Sequence, residues 1–313
     1  MSVTPADLRR VVERVRLVPD RYRQLTTPYE WAERFYRLPG QALASLLELG
    51  FPYRTEAGST TFDDNDLKSA VLMLGLRSPQ RTVLRAMANA LTTAAADPVG
   101  RRAMTIQGYC PYERHDGACT FTLAPAVWRS PQVVRVEVTG ARRFELELKL
   151  GAGTPRFLVL SAAQQQLFDE AARLQFHIIP RQLTADLGFL AETGLADCNL
   201  AMRFLVSRGA ELGVEVRGAT GLCLSQPFAN RHTWLELRQP DGWSPADPFF
   251  LVTLARWGLV DGDAWPPHRS PVGAYLRLPL GVDDLVIDHR RVGGPAEQAR
   301  PPERLGPAHF QVG

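Results

Sequence analysis

The spacing of apolar residues changes character partway along the chain, and that change restricts the fold more than any other feature. Up to about residue 90 the apolar positions recur at helical spacing. Val11, Val12 and Val15 alternate with Arg9, Arg10, Arg14 and Arg16, an amphipathic pattern whose basic face is expected to be solvated. Tyr29 to Leu49 repeats the helical pattern and runs into Gly50 and Pro52, which predicts a stop there. Asp63 or Asp64 is placed to cap a helix running to Gly75, and Gln80 to Thr93 predicts another. From Val133 the period becomes two. Val133–Val138 and Arg143–Leu148 alternate around Thr139-Gly140, a β-hairpin pattern. Phe157–Leu160 reads as a third strand, and helical texture returns over 162–175. The expected architecture is α+β: a mainly helical accessory region at 1–132, a core at 133–289 and a poorly ordered tail at 290–313.

The chain has 313 residues, room for about two domains. Its hydrophobic fraction of 45% and charged fraction of 22% are those of globular proteins, which excludes wholesale disorder. Basic and acidic residues number 36 and 33, a balance that gives no sign of a nucleic-acid partner. No run approaches the ~20 apolar residues of a membrane helix, and the charged N-terminal stretch lacks a signal-peptide apolar region, so the expected location is the cytoplasm. Neither a P-loop nor a Gly-x-Gly-x-x-Gly turn is present, and no nucleotide or other cofactor is expected.

Four cysteines are too few for a disulfide scaffold. Cys198 differs from the others in its surroundings. It opens a helical pattern carried by Leu200, Phe204 and Leu205, with Asp197 as candidate N-cap. The unpaired N–H groups and positive dipole end of a first turn stabilise an anion. With a cationic neighbour such a thiol can fall from a pKa of ~8.5 to ~3.5–7.5. Downstream, 231–237 alternates as a strand that puts His232, Trp234 and Glu236 on one face. Asp241-Gly242 then predicts a hairpin leading to Asp247. A thiolate, an imidazole and a carboxylate are the groups that attack an acyl carbon, move its proton and fix the imidazole tautomer.

These pieces resemble the transglutaminase-like superfamily, a papain-like thiol fold. The matching segments are Cys198, GVEVRGATG (213–221), HTWLEL (232–237) and WSPADP (243–248), with Thr233 where the family usually has Ala. The resemblance covers roughly residues 160–255. It implies a helix carrying the Cys packed on antiparallel strands, Cys198 as nucleophile, His232 as base and acid, and Asp247 as orienting carboxylate. It also implies that Trp234 packs beside the triad and that Arg217 is structural. The activity implied is acyl transfer through an acyl-Cys198 thioester, forming or cleaving an amide. The family includes peptidases, leader peptidases and amide-forming enzymes of peptide and natural-product biosynthesis. The implied partner is a peptide, protein or carrier-bound acyl substrate. The alternative from another class is a catalytically silent binding module.

For the oxyanion hole the Cys198 N–H is the expected first donor, and Gln164, Gln165, Gln166 and Gln175 are candidates for the second. The papain position six residues before the nucleophile holds Glu192. Cys223, between Leu222 and Leu224, reads as a core thiol, and His177, in an apolar run, as a satisfied core histidine. Cys110, His115 and Cys119 raise a zinc hypothesis. The eight residues between the thiols are unlike a short C-x₂₋₄-C knuckle, so two ordinary thiols and no metal are expected.

Overall fold

The computed structural model describes residues 3–96, 100–108, 110, 119–150, 157–280, 284 and 286–291. Contacts divide the chain into two compact, discontinuous units: Met1–Arg85 with Ala162–Leu212 and Pro248–Pro267, and Ala86–Ser161 with Gly213–Asp247 and His268–Gly313. Residues 133–289, expected as one core, contribute to both.

Helix α1 (Pro5–Val15) opens with a reciprocal cap in which Thr4 Oγ1 accepts from the Asp7 N–H and Asp7 accepts from the Thr4 N–H. Its valines are buried while Arg9, Arg10 and Arg16 are exposed. Arg14 departs from the expected solvated face: it is half-buried, and burial lowers its pKa. Strand β1 (Leu25–Pro28) leads into α2 (Tyr29–Arg34) and α3 (Gly40–Glu48). The single helix expected over Tyr29–Leu49 is broken because Pro39 drives the preceding residue out of helical geometry and Arg37 takes a φ of 57°. Strands β2 (Arg54–Glu56) and β3 (Ser59–Asp63) turn on Ala57 and Gly58, both left-handed, as a two-residue hairpin requires. They join β1 in an antiparallel sheet, order β1-β3-β2, inside a region read as helical. Strands this short show no period.

Asp63 caps α4 (Asp64–Met73) by accepting from the N–H groups of Asn65 and Asp66. One turn in, Asp66 pairs with Arg23 at 2.7 Å, both side chains nearly sealed from water. Burial pushes the Asp66 carboxyl up to about 7, against the Arg23 charge that lowers it. Helix α5 spans Pro79–Ala96.

Next come β4 (Arg101–Gln107), β5 (Cys119–Leu123), α6 (Pro125–Trp128), β6 (Val133–Gly140) and β7 (Arg143–Lys149). The hairpin read from the alternation is β6–β7. β4, which lies in the region expected to be mainly helical, pairs with the other edge of β7. Phe157–Leu160 is no strand: Phe157 makes an isolated bridge to Arg269.

The last stretch holds α7 (Ala162–Arg173), β8 (Gln175–Phe176), α8 (Leu187–Thr193), β9 (Leu195–Ala196), α9 (Cys198–Glu211), β10 (Val216–Cys223), β11 (Asn230–Gln239), β12 (Gly242–Ala246), α10 (Pro248–Arg256), β13 (Tyr275–Arg277) and β14 (Ile287–Arg291). Within the first unit α9 packs with α7, α8 and α10. Within the second, β12-β11-β10-β13 form an antiparallel sheet and β14 pairs with β5. Leu222, Leu224, Leu276 and Leu278 share a core there with Met104, Phe144, Leu146 and Leu148. The fold is thus a mixture of helices and antiparallel sheets, with one short parallel pair, β8–β9. Residues 292–313, most of the expected tail, lie outside the described residues, and no described helix is long and apolar enough to cross a membrane.

Candidate active site

In the second unit, strand pairing gathers the polar groups. β10 and β11 pair in a register that sets Arg217 against Glu236, Ala219 against Trp234 and Gly221 against His232. β13 sets Arg277 against Gly221 and Tyr275 against Cys223. Direct partners point to the same side of a sheet, so His232, Trp234, Glu236, Arg217, Tyr275 and Arg277 share one face. The sheet closes up at Gly221. A Cβ there would stand 2.0 Å from the carbonyl oxygen of Leu276, so only glycine lets β13 approach β10 this closely.

His232 Nε2 lies 2.5 Å from Asp247 Oδ2, and Tyr275 donates its hydroxyl to the same oxygen at 2.7 Å. All three residues are buried. Asp247 follows the last residue of β12, so the Asp-Gly hairpin returns the chain beside β11 and delivers the carboxylate to the imidazole. The His232 ring stacks near Trp234 and meets Tyr275 edge-on at 5.0 Å. Sequence reasoning missed Tyr275, which sits 28 residues beyond Asp247 with no motif around it.

Beside this dyad is a cavity of about 440 Å³, lined in part by Trp234, Trp243, Tyr275, Lys149, Arg217 and Arg277. Glu236 accepts from Arg217 at 2.6 Å and pairs with Arg277 at 3.3 Å. Arg217 also lies over the Trp243 ring at 4.3 Å. Arg217 therefore braces β10 against β11 and β12. The Trp234 indole nitrogen is buried with no hydrogen-bond partner among the described residues. Two arginines and a lysine against one glutamate leave the cavity with excess positive charge.

Cys198 belongs to the first unit, at the first residue of α9, and is half-buried. Asp197 is the N-cap and accepts from the Leu200 N–H at 2.8 Å. Burial pushes the Asp197 carboxyl up to about 6, opposed by the N–H bonds it accepts from Leu200 and Asn199. Among the glutamines, Gln165 and Gln166 are exposed and donate to Asp169 and Glu170 one turn along α7, while Gln175 is exposed in β8. These bonds commit the Gln165 and Gln166 amides to the surface of their own helix.

Cys223 is fully buried, and burial first, then the Asp247 charge, raises its pKa far above that of a free thiol. His177 is also buried, but neither ring nitrogen has a hydrogen-bond partner among the described residues, so it is not the satisfied histidine expected. Burial lowers its pKa to about 3, keeping the ring neutral. His115 lies outside the described residues.

No family model and no curated protein matches this chain. One solved structure, a "putative cysteine protease" from Cytophaga hutchinsonii, aligns over 62% of this chain and 81% of its own. The identity is 9% and the TM-score 0.29, too loose a superposition to carry an argument.

Proposed function

We propose that this protein is a cysteine-dependent acyl-transfer enzyme with Cys198 as nucleophile, His232 as base and acid, and Asp247 as orienting carboxylate. The observation that carries the reading is the buried contact of His232 Nε2 with an Asp247 oxygen also held by Tyr275. A carboxylate on Nε2 fixes the proton there in neutral imidazole, which makes Nδ1 the basic nitrogen. Nδ1 then takes the Cys198 proton. The thiolate, favoured by its place at a helix start, attacks the acyl carbon, and the Cys198 N–H receives the developing oxyanion. His232 returns the proton to the leaving group as the C–X bond breaks, leaving a thioester. Water or an amine attacks that thioester with His232 again as base, giving an acid or an amide and restoring the thiol. No step needs ATP, since the acyl group arrives as an amide, ester or thioester. The positive cavity beside the dyad favours acyl donors carrying an acidic group.

The test uses the whole chain and an activated acyl thioester. Mass spectrometry should detect an acyl adduct on Cys198, absent in Cys198→Ala and accumulating in proportion to enzyme before turnover. Iodoacetamide should alkylate that thiol below pH 7 far faster than the other three. Four uniformly slow thiols and no adduct would leave a binding module instead.

A further inference from the structure

We propose that Cys110, Cys119 and His289 form a zinc site. The three are half-buried, and their ligand atoms all lie within 4.8 Å of one another. Cys119 and Cys110 place their sulfurs 3.6 Å apart. A disulfide would bring them to about 2.05 Å. Two sulfurs on a tetrahedral zinc, each bonded at about 2.3 Å, stand about 3.8 Å apart. The observed separation excludes a disulfide, is within reach of a thiol–thiol hydrogen bond, and is close enough to the zinc-bound value that both sulfurs can reach one ion without rearrangement.

The third ligand comes from far along the chain. β14 pairs with β5 in a register that sets His289 against Phe121 and Arg291 against Cys119, which carries the imidazole back to the thiols. The Phe121 ring lies 4.9 Å from the His289 ring, tilted against it, and so packs beside the imidazole. Inward from the cluster, Leu123 and Val286 enter the core of the second unit. Two thiolates and an imidazole make a soft, borderline donor set that selects zinc over magnesium or calcium. Binding releases the two thiol protons to solvent, and the thiolate charges neutralise the ion. The site would staple a two-stranded ribbon, a structure that is marginal by itself, and so hold the strand at 287–291 in place. This site uses none of the residues assigned to acyl transfer and stands independently of that reading.

The experiment measures metal in the full chain purified under reducing conditions. About one zinc per chain is expected, as one site requires. Cys119→Ser and His289→Gln should each lower it at least about tenfold, while Cys198→Ala leaves it unchanged. Because the ribbon variants could lose their fold, the wild-type chain gives a second reading. After chelation, cobalt(II) should produce tetrahedral d–d bands with thiolate charge-transfer absorption, and added zinc should abolish both. The proposal is overturned if the wild-type chain holds no zinc and develops no thiolate–cobalt bands. It is equally overturned if folded Cys119→Ser and His289→Gln retain full zinc.

Discussion

Tyr275 donates its hydroxyl to Asp247 Oδ2, the carboxylate oxygen that also meets His232 Nε2. The carboxylate is therefore held from two sides before any substrate arrives. Replacing Tyr275 by Phe keeps the ring contacts with His232 and Trp234 and removes one buried hydrogen bond to a carboxylate. The expected cost is about 1.5–3 kcal/mol of stability, read by chemical denaturation. A loss in kcat of up to about tenfold should accompany it, equivalent to about 1.4 kcal/mol of misplacement. Wild-type values for both would show that the bond positions nothing.

Asp247→Asn should lower kcat/KM by about 10–10³-fold. That is less than the ~10⁴-fold loss of a serine triad, because a thiolate already paired with imidazolium needs less help from its carboxylate. Cys198→Ala should fall to background with the fold retained in circular dichroism. Substantial activity in Cys198→Ala would place the nucleophile elsewhere.

The Leu276 carbonyl leaves no room for a side chain at position 221. Gly221→Ala should destabilise the second unit by at least about 1–3 kcal/mol, the usual cost of overpacking, since the obstacle is backbone and cannot swing aside. A denaturation midpoint equal to wild type would mean that β13 does not lie where the pairing places it.

His177 titrates at about 3 when folded and near 6.5 when unfolded, because burial penalises its charged form. The unfolded chain therefore binds the extra proton between those values. The neutral ring's contribution is fully present above pH 6.5 and is lost as pH falls toward 3, at up to about 1.4 kcal/mol per pH unit. Asp66, raised to about 7, works in the opposite direction over much of the same range. The wild-type curve alone thus mixes the two. His177→Leu removes one and leaves the other, so its stability relative to wild type should rise steadily from pH 6.5 to 4. At pH 7 it should be neutral or stabilising, because two unpartnered buried nitrogens disappear. Parallel pH curves for the two proteins would contradict the assignment.

The cavity's charge gives a separate test of substrate preference. Lys149 is exposed at the end of β7 and lines the cavity, so Lys149→Gln removes a positive charge with little effect on folding. Acyl donors with a carboxylate should lose several-fold in kcat/KM, and their neutral amide analogues should not change. Equal losses for both donors would assign Lys149 no part in choosing the substrate.

Local patterns determined a good deal by themselves. The alternation over 133–148 is the β6–β7 hairpin, Asp63 and Asp197 cap the helices they precede, and the Asp-Gly turn before Trp243 brings Asp247 to His232. Each is decided within a few residues by capping, turn geometry or side-chain period, so it can be read along the chain. Other features were settled only by tertiary structure. β4 pairs with β7 from Gln107↔Arg143 to Arg101↔Lys149, Tyr275 reaches Asp247 from β13, and His289 joins two cysteines far upstream, Cys110 and Cys119. None of these partners carries a local signal, because strand pairing is chosen by which apolar faces can be buried together. The burial of His177, Asp66 and Arg14 is likewise a property of what packs over them. The sequence names the chemistry of each side chain, and the packed structure decides which of those groups meet.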